Sequence, residues 1–217
     1  MSKRGLLWGV PALFYVIFFV WYTDLGGPLR PDEIEIFSGE LQEVGLGPEQ
    51  LERIRRFMEQ DTGRQFLMVN NIDMNEDPPD VDGAEPGESA DQLMDRYMEH
   101  MYAQLLKRAS HPVIYGNAVF RVLDVVGIEG AESWDVGALF RYRSRRTFLE
   151  VISNPQTLGR HEFKVAALEK TIAYPIETVL YLGDPRLVLG LFLLSLTAIT
   201  DIAVYGRRPR RGLGEPG

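Results

Sequence analysis

The sequence contains no cysteine and only three histidines. Without cysteine, the chain cannot form a disulfide framework, a thiolate metal site or a cysteine nucleophile. The histidines, His100, His111 and His161, lack the short spacing of a zinc site, so we predict no metal and no cofactor. Phosphate-binding loops, nucleophile-elbow serines and dinucleotide-binding glycine motifs are also missing. An enzyme of this sequence would therefore depend on a shaped pocket with one or two polar groups.

Negative charge exceeds positive charge, and the excess lies between the two basic ends of the chain. The net charge is −8 over 217 residues, and the central region is more acidic than this total. The terminal basic residues are Lys3, Arg4, Arg207, Arg208, Arg210 and Arg211. Nucleic-acid phosphates bind basic surfaces, so the acidic centre predicts no nucleic-acid partner.

Two long apolar runs lie near the ends, at residues 5–22 and 187–205. A helix needs about 20 apolar residues to cross the hydrocarbon core of a bilayer, and both runs meet this length. The alternative for the first run is a cleaved signal peptide, although no A-x-A site follows it. The second run contains one charge, Asp201, which either pairs at the interface with Arg207 or Arg208 or binds another subunit inside the membrane.

The basic flanks of these runs predict an orientation. Cytoplasmic segments next to membrane helices carry an excess of lysine and arginine. Both termini are therefore expected in the cytoplasm and the centre in the periplasm, with the protein in a bacterial inner membrane. The lipid bilayer is the first expected partner.

These features divide the chain into five segments. We predict an N-terminal anchor at 1–22, a helical extension at 23–64, an α+β domain at 65–185, a second membrane helix at 186–206 and a basic cytoplasmic tail at 207–217.

The central segments alternate between helical and strand patterns. Helix 31–60, interrupted at 45–48, precedes a strand at 66–72, a helix at 89–108, strands at 113–126 and 134–143, helices at 144–153 and 158–171, and a strand at 177–182. From the first strand onward this is the order of the ferredoxin-like split βαβ fold. Its antiparallel sheet leaves one face uncovered, so a homodimer or the subunits of a membrane complex are expected partners.

The segment ALFRYRSRRTFLEVISNPQTLGRHEFKVAALEKT resembles the dimeric α/β-barrel superfamily, and the resemblance extends over roughly residues 65–182. The superfamily includes antibiotic-biosynthesis-type and heme-degrading monooxygenases. Heme-degrading members use an asparagine on the first strand, a tryptophan after the third strand and a later histidine. Asn70 or Asn71 and His161 match this pattern, whereas Ile152 stands where the tryptophan is expected, which argues against heme oxygenation. The whole chain is also similar to uncharacterised two-span bacterial proteins that share YRSRR and HEFKVAALEKT.

The candidate site residues are polar groups in apolar surroundings. Catalytic candidates are His161, which titrates near neutral pH, and Asn70, a buried amide that needs partners. Strand alternation places Asn70 and Asn71 on opposite faces of the sheet. The ligand-binding candidates are Asn71, Tyr115, Asn117, Arg141 and Arg143. The alternative for all of them is a structural role in interstrand hydrogen bonds, caps or ion pairs.

Two functions are therefore expected. The first is a membrane-anchored domain that binds a small ligand or serves as an accessory subunit of a membrane complex. The second is a cofactor-free or heme-related monooxygenase or isomerase that acts on a lipophilic molecule. Convergence of Asn70 or Asn71, Tyr115 and His161 on one cavity would favour the enzyme.

Overall fold

A computed structural model describes residues 2–206, which form two compact units. The first unit combines residues 2–23 with 179–206 and contains two long helices. The second unit comprises Asp24–Thr178 and contains the sheet.

The first unit consists of helices α1 (Lys3–Tyr22) and α8 (Pro185–Tyr205). They pack antiparallel, because Arg4 near the start of α1 binds Asp201 near the end of α8, while Tyr15 donates to the Arg186 carbonyl at 3.1 Å. Both helices are long and apolar enough to cross a membrane, and most of their side chains are exposed. The predicted partners of Asp201, Arg207 and Arg208, lie outside the described residues.

The second unit is a mixed α+β structure, which confirms the predicted class. Its elements are α2 (Pro31–Glu43), α3 (Pro48–Glu59), β1 (Phe66–Met74), α4 (Ala90–Lys107), β2 (His111–Asn117), β3 (Val136–Tyr142), α5 (Arg145–Ile152), α6 (Pro155–Leu158), α7 (His161–Ala167) and β4 (Leu168–Ile176). The four strands form one antiparallel sheet in the order β2-β3-β1-β4. The predicted interruption between α2 and α3 is confirmed.

Two strand predictions were wrong in their position. The last strand is β4, not residues 177–182, and the helix expected at 158–171 ends at Ala167. Residues 168–176 pair with β1 from Met74 back to Leu67, so long-range pairing overrides their local helical pattern. Strand β2 ends at Asn117 instead of continuing to residue 126. Beyond it, the chain leaves the sheet and returns at residue 136.

Helices α4 and α5 cover one face of the sheet and enclose an aromatic core. Phe66 of β1 stacks on Tyr142 of β3 at a centroid distance of 5.3 Å, and Phe148 of α5 meets both rings edge-on. Leu105 of α4 is buried beside them. Helices α2 and α3 pack against α5 through Leu41, Met58 and Leu149, so the helical extension shares a core with the sheet domain.

Residues 29 and 177 of this unit are tied to the segment that precedes β1. The Leu29 amide donates to Asp61 at 2.9 Å, and Thr62 donates to Glu177 at 2.5 Å, just before β1 begins. At the opposite end, the Asp135 amide donates to the carbonyl of Ile72. The segment 118–135 therefore lies at the end of the sheet opposite these two contacts.

Candidate ligand cavity under helix α4

Two neighbouring cavities lie between α4 and the face of the sheet that α4 covers. The smaller cavity, about 80 Å³, is lined by Leu105 and Tyr142 of the aromatic core and is called the inner cavity. The larger one, about 280 Å³, is called the outer cavity. They share four lining residues, Ile72, Met94, Met98 and Phe140, so only side chains separate them. This arrangement provides one apolar region with two compartments.

Methionine dominates the walls. Five of the seven methionines of the chain line one or both cavities: Met68, Met74, Met94, Met98 and Met101. Residues 94, 98 and 101 follow the spacing of one helix face, so the amphipathic pattern of α4 directs them towards the sheet. Methionine is unbranched and polarizable, and therefore adapts its shape to different apolar groups.

A few polar groups interrupt the inner wall. Asn70 donates through Nδ2 to the Met68 carbonyl at 3.0 Å, which satisfies one of its amide hydrogens. Burial raises the pKa of Tyr97 to about 12. Burial, followed by the field of Tyr97, also raises the pKa of Tyr142 above its ordinary range. Both phenols therefore remain neutral and able to donate at physiological pH.

Lys164 of α7 is the cation of the inner cavity. Its Nζ lies 5.8 Å from the centre of the Tyr97 ring, a distance consistent with a cation–π contact. Burial lowers the pKa of this amine. Within residues 2–206, no carboxylate pairs with it. Lys164 was not among the predicted site residues, because a single lysine in a short helix carries no signal of a site in the sequence.

The outer cavity carries the opposite charge. Asp91 and Asp95, from the first turns of α4, line it together with Tyr102 and Tyr115. Burial is the main cause of the raised pKa of Tyr115, and the field of Asp91 adds to it. The predicted ligand-binding residue Tyr115 therefore belongs to the outer compartment.

His161 lies apart from Asn70. It is the first residue of α7, its side chain is exposed, and it lines neither cavity. Partial burial and the nearby charge of Lys164 lower its pKa. The structure thus brings Asn70 and Tyr115 to adjacent cavities and leaves the histidine outside both.

Asn71 and Asn117 lie at a different site. They line a groove of about 550 Å³ together with Ile172 and Trp134, on the face of the sheet opposite Asn70. Segment 118–135 forms the rest of this groove. Several of its apolar side chains are almost fully exposed: Val119, Phe120, Leu123 and Val126.

The two predicted arginines are integrated into the fold. Arg141 is 0% exposed and donates to Gln65 at 2.8 Å and to the Ala109 carbonyl at 2.5 Å. The backbone amide of Arg143 donates to Ser110, and its charge acts on Asp24. Among the described residues, no group of three or more histidines, aspartates or glutamates is arranged to hold a metal ion.

Comparison with known proteins gives the fold and nothing about chemistry. No protein-family model matches the sequence, and no curated protein is detectably similar to it. A crystal structure of a protein of unknown function from Rhodopseudomonas palustris, a structural genomics target, matches with a TM-score of 0.50 and 17% identity. The match covers 64% of this chain and 98% of the other. The methylated form of that protein matches with a TM-score of 0.51 and 19% identity. This match covers 65% of this chain and 97% of the other.

Proposed function

We propose that this protein is a membrane-anchored binding domain that holds a small lipophilic molecule in the cavities under α4. The observation that carries this proposal is the methionine-lined region with Asn70, two neutral tyrosines and Lys164 at its inner end. Ligand pockets in proteins are mostly apolar, with a few polar groups that fix orientation. The volumes of about 80 and 280 Å³ together lie near the lower end of the range of ligand pockets, about 300 to 1,000 Å³, so we expect a small ligand.

Anchoring by α1 and α8 in a bacterial inner membrane is part of the proposal. The antiparallel arrangement supports placing both termini on one side, and their basic residues favour the cytoplasm. The domain would then be periplasmic. The ion pair of Arg4 with Asp201, at 2.7 Å, gives each charge a partner, as charged groups near lipid require.

We also propose that the domain is ferredoxin-like and related to the dimeric α/β barrels. The order βαββαβ from β1 to β4 and the sheet order β2-β3-β1-β4 support this assignment. A homodimer would cover the face of the sheet that carries Asn71.

The position of His161 favours binding over catalysis. A monooxygenase or isomerase that used Asn70 and His161 would need both groups within hydrogen-bond reach of one substrate. Asn70 faces the inner cavity, whereas His161 is exposed outside it. The adaptable methionine walls suit a binding function, because they accommodate ligands without aligning reacting atoms.

Titration with labelled decanol tests the proposed function. The full chain in nanodiscs should bind decanol more strongly than the Met98→Trp variant, which fills the wall shared by both cavities. Leu106→Trp is the matched control, since Leu106 is exposed on the same helix and lines neither cavity. Equal retention of decanol by wild type and Met98→Trp would reflect partition into lipid and contradict the proposal.

A second candidate function is that of an accessory subunit, and segment 118–135 favours it. Val119 and Leu123 are 98% and 89% exposed, and large exposed apolar patches often mark protein interfaces. This candidate predicts that Phe120→Ser with Leu123→Ser abolishes a complex that the control Leu106→Ser retains. An unchanged set of copurifying proteins would contradict it.

A further inference from the structure

The inner cavity combines one cation with an otherwise neutral lining. Lys164 is its only formally charged lining residue, and the remaining walls are methionine, leucine, isoleucine, aromatic and amide groups. Lys164 is partly buried, and proteins usually provide a counter-ion for a cation that loses part of its hydration. In residues 2–206 the protein provides none, and the ring of Tyr97 offers only a weak cation–π contact.

We propose that Lys164 binds the carboxylate of a lipophilic monocarboxylic acid whose hydrocarbon chain occupies the methionine-lined cavities. This inference rests on the proposed function and names the ligand class. The carboxylate supplies the missing counter-ion. The hydrocarbon chain of the acid contacts the apolar walls, which include Met68 and Met98. Tyr97, Tyr142 and Asn70 border the same compartment and offer further hydrogen bonds to the carboxylate oxygens.

The charges at the opposite compartment set the direction of the ligand. Asp91 and Asp95 line the outer cavity, and two carboxylates there repel a third. The acid group is therefore disfavoured beside Tyr115 and favoured beside Lys164. The resulting ligand lies with its anionic end beside Lys164 and its apolar end towards the first turns of α4.

The groups facing Lys164 determine how binding depends on pH. They are Tyr97 from α4, Tyr142 from β3 and, on its own helix, His161. Both phenols are neutral well into the alkaline range because burial raises their pKa. The charge that attracts the carboxylate is thus that of Lys164, and affinity should fall as alkaline pH removes its proton.

The experiment compares decanoate with decanol on the full chain in nanodiscs. Wild type should prefer the acid by about tenfold or more, as expected for a charge-assisted hydrogen bond. Lys164→Met should lose the preference for the acid, whereas Lys107→Met, which replaces an exposed lysine at the end of α4, should keep it. Lys164→Arg restores the charge and should restore part of the preference.

The outcomes separate the two proposals. Equal binding of acid and alcohol by wild type, or an acid preference that survives in Lys164→Met, overturns the assignment of Lys164 while decanol binding stands. Absence of decanol binding above the Met98→Trp level overturns both. Should Lys164→Met fail to fold, the pH titration of wild type decides: a preference unchanged at alkaline pH contradicts the role of Lys164.

Discussion

Cations occur in the domain in two contrasting settings, the arginines of residues 141–146 and Lys164 of α7. Arg145 contacts Asp61, Glu177 and the Phe57 carbonyl, and Arg146 binds Asp24 and Glu33. These partners lie on segments far apart in sequence, so the arginines hold the extension against α5. Lys164 has no such carboxylate within the described chain. The contrast separates cations that stabilise the fold from one that is available to a ligand.

The largest expected change in stability follows from the loss of a cation that is paired with a carboxylate. The side chain of Asp61 is only 2% exposed, so Arg145→Met leaves a buried carboxylate without its cation. Loss of one member of such a pair destabilises a protein by about 3 kcal/mol, or roughly 10 °C in the melting temperature of a domain this size. Near-UV circular dichroism of the purified full chain measures this change.

The control is Arg53→Met, whose ion pair with Glu49 is solvent-exposed on both sides. Its effect should stay below about 0.5 kcal/mol. Similar losses in Arg145→Met and Arg53→Met would show that the arginines of residues 141–146 do not differ from surface cations.

Substitution of Lys164 should change the stability of the protein in the opposite direction. Lys164→Met removes an unpaired cation from an apolar cavity and should raise stability by about 1 kcal/mol. The pKa of Lys164 is lowered in the folded state, so between that pKa and the unfolded value of 10.5 the unfolded chain binds more protons. Wild-type stability therefore rises with pH in this window, and the advantage of Lys164→Met should shrink. Thermal melts across that range test the trend, and destabilisation by Lys164→Met would contradict it.

A smaller pH effect is expected for Glu33. Its hydrogen bond from Arg146 is the main cause that lowers the pKa to about 2, from an ordinary 4.5. The folded state therefore gains stability from this carboxylate above pH 4.5, and loses it as pH falls towards 2. The stability difference between wild type and Glu33→Gln should shrink over that interval. A stability difference between the two proteins that is constant with pH would show that the charge of Glu33 contributes nothing to stability.

Much of this architecture follows from local patterns in the sequence. The helices formed by the two apolar runs, the interruption before Pro48 and the helix at 89–108 were predicted correctly, because each depends on periodicity or on a residue with restricted geometry. The position of β4 was not predicted correctly, because residues 168–176 become a strand only through pairing with β1.

The candidate site was less predictable than the fold. Asn70 and Tyr115 stood out as polar residues within strands, and both border the cavities. Lys164 resembles any solvated lysine in the sequence, and only the packing of α7 against α4 places its amine beside Tyr97. His161 illustrates the converse, since its residue type suggested chemistry that its exposed position does not support.

The methionines provide the most direct test of ligand binding under α4. The full chain, labelled with ¹³C at its methionine methyl groups, can be titrated with decanoate and followed by NMR. We predict shifts at the cavity methionines, Met68, Met74, Met94, Met98 and Met101, with the largest at Met98, and none at Met58, which is buried among α2, α3 and α5. Unchanged signals from the cavity methionines, or shifts of equal size at Met58, would contradict the account.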